Sequence, residues 1–146
     1  MWRSNRRLLL SGLLLFAFSA TLWATDLTVT DARLRLLPGD LPAGGYFSLS
    51  NTSGESVVLI GAESAAFARV TVHQSIQDNG MTSMEPVPQL ELGPDDAVEF
   101  APGGYHLMLM ERRSPIALGD EVTMTLLFEN GQRLPVVFQA VSPTAL

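Results

Sequence analysis

Short runs of alternating apolar and polar residues, each cut off by a turn, leave this chain few folds to choose from. Leu27 to Leu36 alternates and stops at Pro38-Gly39-Asp40, and Gly45 to Asn51 runs into Asn51-Thr52-Ser53-Gly54 before Ser56 to Gly61 resumes. Phe67 to Ile76, Ala97 to Phe100, Tyr105 to Met110, Glu121 to Phe128 and Arg133 to Val141 repeat the pattern. Period-two alternation suits a half-buried strand, because successive side chains point to opposite faces. Asp78-Asn79-Gly80 and Glu129-Asn130-Gly131-Gln132 are tight hairpin turns, since Asn and Gly tolerate positive φ. No repeat, low-complexity block or long amphipathic helix interrupts the series. The expected fold is all-β, one Greek-key β-sandwich.

The first residues read as an address and not as part of that fold. Arg3, Arg6 and Arg7 precede an apolar run from Leu8 to about Leu22, and Ala24 offers a small residue for cleavage. This is the pattern of a secretory signal peptide. The run of about fifteen residues is also short against the roughly twenty that span a bilayer. Residues 1–24 are therefore expected to be removed, leaving 25–146 as a single domain, exported, monomeric and free of the membrane.

Export changes the charge that matters. All nine basic residues are Arg and three lie in the signal, so six remain against fifteen Asp and Glu, a formal charge of −9. Nonspecific nucleic-acid binding, which neutralises phosphates with Lys or Arg, is not expected. Glu91, Asp95, Asp96 and Glu99 lie in turn-like sequence and read as a solvated edge, whereas acid/base chemistry needs carboxylates in a cleft. Cysteine is absent, which removes a disulfide framework, the thiolate of a blue-copper centre and Cys-rich zinc sites together. The mature chain must hold together by its own core.

Two residue types are concentrated in one stretch of the chain. The only histidines, His73 and His106, fall within one stretch with Met81, Met84 and Met108, and Met110 lies just beyond. The spacing is His73, ten residues, Met84, twenty-one residues, His106, one residue, Met108. On an alternating strand His106, Met108 and Met110 share one face and Leu107 and Leu109 the other. His73 stands on the face opposite Val70, Val72 and Ile76, and the Asn79-Gly80 turn returns Met84 towards it. Two imidazoles and two thioethers form a soft, uncharged set that suits Cu(I) and suits Mg, Ca or Mn badly. Met124 sits in an ordinary alternating strand and is assigned to the core.

The spacing and the segment Pro102-Gly103-Gly104-Tyr105-His106-Leu107-Met108-Leu109-Met110 resemble the periplasmic copper chaperones called PCu(A)C. The likeness extends more loosely from about Asp26 to Ala140, through Tyr46-Phe47-Ser48-Leu49-Ser50-Asn51. It implies a cupredoxin-like fold, a periplasmic location, Cu(I) held by His73, Met84, His106 and Met108, and delivery to a copper-receiving protein of cytochrome oxidase assembly. Gln74 and Ser75 stand where many members carry a further Met, and the chain ends Val141-Ser142-Pro143-Thr144-Ala145-Leu146 without the His- and Met-rich tail of some members. One copper per chain is the expectation. The alternative is a metal-free extracytoplasmic binding module in which these residues are incidental; an enzyme is not expected, because no nucleophile-base motif is present.

Overall fold

The computed structural model describes residues 26–146, so the expected signal peptide, residues 1–24, lies outside the described residues. Every regular element among the described residues is a strand: β1 (Leu27–Arg35), β2 (Ala43–Asn51), β3 (Val57–Glu63), β4 (Phe67–Asp78), β5 (Met81–Pro86), β6 (Leu90–Leu92), β7 (Ala97–Phe100), β8 (Tyr105–Arg112), β9 (Glu121–Phe128) and β10 (Arg133–Val141). They pair in the order β5-β4-β8-β7-β2-β1-β10-β9-β3-β6, and β8 also bonds directly to β2. An isolated bridge between Ser64 and Phe67 brings β3 back to β4, so the sheet folds over on itself. The first and last strands, β1 and β10, lie parallel, which takes the chain beyond a simple meander. The Greek-key sandwich expected from the alternation is the fold found.

Alternation explains where the core sits. Val122, Met124, Leu126 and Phe128 of β9 bury the same face as Val136, Phe138 and Ala140 of β10, and Met124 is 0% exposed, as its strand position requires. Phe47 of β2 stacks on Phe100 of β7 at 4.3 Å and meets Phe138 of β10 edge-on at 5.7 Å. Aromatic contacts of this kind add about 0.5–1.5 kcal/mol beyond their burial. Asn51 is a buried exception with every need met: its amide donates to the carbonyls of Glu55, Leu92 and Gly93, and its oxygen accepts from Ser53.

Three local features depart from simple alternation. The alternation of Leu27 to Leu36 is not clean: the register shifts between Thr30 and Arg33, and Asp31 has φ 54°. The apolar residues change parity there, from Leu27 and Val29 to Ala32, Leu34 and Leu36, and the bulge keeps both sets inward. Glu85-Pro86-Val87-Pro88 reads in sequence as a break in pairing, since proline supplies no ladder donor, yet Glu85 still faces Gln74 and Pro86 faces His73. Proline is tolerated there because β5 is an edge strand and no outer ladder needs its missing N–H. Leu90–Leu92, too short to register as alternation, pairs with β3.

Candidate metal centre

The middle of β4 and β8 builds the site. Their antiparallel register sets Val70 against Leu109 and Val72 against Leu107 on the core face. The other face then carries Thr71 against Met108 and His73 against His106. The two imidazole rings lie 6.0 Å apart, centre to centre, and 18° from parallel. On the other side of β4, Met84 of β5 faces Ser75, which makes it the diagonal neighbour of His73 on the same face, within reach of a long side chain. The hairpin that returns it is as expected: Asn79 and Gly80 both have positive φ, 50° and 77°.

Each imidazole is oriented by its own strand. Nδ1 of His106 lies 3.3 Å from the carbonyl oxygen of Gly104, which can only accept, so Nδ1 carries the proton and Nε2 the free lone pair. That carbonyl also accepts from the Ser75 amide at 3.0 Å, and the turn presenting it needs Gly103 at φ 84°. Nε2 of His106 is buried and without a hydrogen-bond partner. Nδ1 of His73 lies 3.2 Å from the Thr71 hydroxyl. Burial, then the neighbouring His73 and Arg35, hold the His106 imidazole below its ordinary pKa, against the opposing pull of the Gly104 carbonyl.

His106 lies on the face opposite the core residues Leu107 and Leu109, yet it is only 5% exposed. Tyr46 explains this: its ring centre is 6.5 Å from that of His106, and the Arg35 guanidinium lies 5.2 Å over the Tyr46 ring. Burial pushes the Tyr46 phenol pKa up, against the opposing pull of the nearby Arg35 cation, so the phenol stays protonated. Gly44 makes room, since a Cβ there would come within 2.9 Å of the Tyr46 hydroxyl oxygen. Met84, His106, Met108, Arg35 and Tyr46 line a common cavity of about 330 Å³; His73 is not among its lining residues and joins it only through His106. Arg35 and Tyr46 carry no local spacing signal, because three strands must meet before they approach the donors.

Two further methionines are set apart. Met81 faces Asp78, an even-numbered position of β4 and so on the opposite face from His73, roughly 16 Å along the strand at about 3.3 Å per residue. The sulfur of Met110 accepts from the Arg69 guanidinium at 3.5 Å. Among the described residues no group of three or more His, Asp or Glu could hold a metal ion. The expected acidic edge, Glu91, Asp95, Asp96 and Glu99, is indeed solvent-exposed.

Residues 27–140 match the family described as "Putative lipoprotein LpqE-like". The chain belongs to the LpqE-like family. Curated relatives of this LpqE-like chain include "Putative lipoprotein Lxx21020" of Leifsonia xyli subsp. xyli, 29% identical over 62% of the chain and 55% of the relative. "Uncharacterized protein RP573" of Rickettsia prowazekii is 34% identical over 58% and 48%. The chain thus spans about half the length of the curated relatives it matches. Among solved structures, the copper-bound PCuAC domain from PmoF2 superposes with TM-score 0.68 and 26% identity, covering 81% of this chain and 94% of that one. The copper(I) form of DR1885 from Deinococcus radiodurans gives 0.66 and 26%, covering 83% of each. The resemblance to PCu(A)C proteins and the cupredoxin-like β fold it implied are both borne out.

Proposed function

We propose that this chain is an exported copper chaperone that carries one Cu(I) on His73, Met84, His106 and Met108. The observation that carries the reading is His106: its buried, unpartnered Nε2 belongs to a side chain lining the same cavity as the thioethers of Met84 and Met108. An unpaired buried polar atom costs free energy, and a soft metal would satisfy it. The donor set supports Cu(I) because thioethers favour it, and the lack of carboxylate donors disfavours hard ions. A ring separation of 6.0 Å is compatible with bonds of about 2 Å from both imidazoles. The copper-bound state of the PmoF2 domain supports copper as the metal, and the copper(I) state of DR1885 supports its oxidation state.

Release follows from unequal burial. His106 holds its lone pair at the base of the site, whereas Met84 is 55% exposed on an edge hairpin. A thioether needs no proton to leave, so an incoming donor from a receiving protein replaces Met84 first. We assign that receiver to cytochrome oxidase assembly and the location to the periplasm, with 25–146 acting as one monomeric, non-enzymatic domain after removal of residues 1–24; an intact mass that retains the leader contradicts this processing. Anaerobic competition with a chromophoric Cu(I) chelator tests the binding: one Cu(I) per chain, lost in His106→Ala. Equal binding by parent and variant, or none by either, sinks the proposal and favours a metal-free binding module.

A further inference from the structure

Arg35 occupies an unusual place beside this donor set. The bulge at Asp31 turns Arg35 outward, and the paired registers then put Arg35, Gly44, Met108 and Thr71 in one row across β1, β2, β8 and β4. Gly44 contributes no side chain to that row, and the space above it is filled by the Tyr46 ring on which Arg35 rests. Nε of Arg35 is buried and without a partner. The ion pairs among the described residues are Arg69 with Glu111 and Arg133 with Glu63, and Arg35 is in neither. Among the described residues Arg35 is also the only charged one lining the cavity that His106, Met84 and Met108 line, although acidic residues outnumber basic ones in the chain.

We propose that Arg35, fixed on the Tyr46 ring and left without a counter-ion beside His106 and Met108, selects the oxidation state of the copper this site accepts. The inference rests on the copper reading above. A fixed unit charge repels a doubly charged ion twice as strongly as a singly charged one at the same place, and charges that are partly buried are screened less than exposed ones. Neutral donors offer nothing to offset this. Arg35 therefore penalises Cu(II) and spares Cu(I), independently of the preference that thioethers already have.

The test compares parent, Arg35→Gln and Arg35→Lys proteins loaded with copper, reading the midpoint potential by mediated titration and the affinities for Cu(I) and Cu(II) by chelator competition. In Arg35→Gln the ratio of Cu(II) to Cu(I) affinity should rise on the order of tenfold, as expected for removing one unit charge at about 10 Å with an effective dielectric of about 20. The potential should fall accordingly, and Arg35→Lys should stay near the parent. Arg35→Leu, an apolar side chain with no donor for copper, replaces Gln if that variant does not fold. An unchanged ratio in the neutral variants, with Cu(I) still bound one to one, overturns the role of Arg35; so does a Lys variant that behaves like the neutral ones. Failure of the parent to bind Cu(I) overturns the copper reading itself, and this inference with it.

Discussion

A lowered imidazole pKa matters at His106 because only the neutral ring can donate to a metal. Relative to an ordinary value of about 6.5, the folded chain holds this proton more weakly than the unfolded chain does. The stability tied to neutral His106 is therefore complete above about pH 6.5, declines as the pH falls through the lower folded value, and is gone beneath it. In the copper-free protein, NMR titration should place the His106 pKa below about 6.5, and Arg35→Gln should move it upward by removing a positive neighbour; a downward move would contradict this sign. Proton competition with copper at His106 should likewise begin at lower pH than for an unperturbed imidazole. The methionines have no such competition, and they are tested by substitution. Met84→Leu with Met108→Leu nearly conserves volume, at a cost of less than about 1.5 kcal/mol per site, so the double variant should stay folded by circular dichroism while losing most Cu(I) affinity. Retained affinity would remove both sulfurs from the site. The four proposed donors could be picked out in sequence because each sits at a fixed spacing within strands whose parity can be read. Tyr46 and Arg35 were not legible, because β2 and β1 reach β8 only through pairing between residues some sixty or more positions apart.

At the scale of elements, the site depends on how closely β2 approaches β8. Gly45 faces Leu107, and a Cβ at Gly45 would come within 3.0 Å of the Leu107 Cβ, an atom that cannot swing aside without moving its strand. Leu107 is fully buried and adjoins His106. Gly45→Ala should therefore cost about 1–3 kcal/mol, the usual range for an overpacked core, as a lower midpoint in urea with an unchanged slope. No loss of stability would mean that the strands can separate freely. The hairpin carrying Met84 was legible from Asn79-Gly80 alone, because its turn needs positive φ twice and few residue pairs allow that. The bulge at Asp31 left a mark in the sequence as well, a change of apolar parity between Val29 and Ala32. The continuation of β5 through Pro86 did not. Proline excludes a central strand, but whether a strand lies at the edge is a property of the assembled sheet.

For the whole molecule, the absence of cysteine and the buried apolar interior have a joint consequence. The core runs continuously from Leu27 to Ala140 and draws on strands on both sides of the site, so the domain is expected to fold without metal. Copper should then act as a ligand of an already folded state. A ligand that binds only that state stabilises it by about 2.7 kcal/mol at a free concentration one hundred times Kd. For a domain of this size that corresponds to roughly 10 °C in Tm, given about 4–8 °C per kcal/mol for smaller domains and about 2–4 °C for larger ones. Calorimetry of the copper-free chain under reducing, anaerobic conditions should show one cooperative transition, and buffered Cu(I) should move that transition upward by an amount that grows with the logarithm of free copper. In Met84→Leu, Met108→Leu the copper-free transition should remain near the parent's while the copper-induced shift largely disappears. A copper-free chain without a cooperative transition would make the metal part of the fold, as in a structural zinc domain, and would require copper to be retained in place of being handed on.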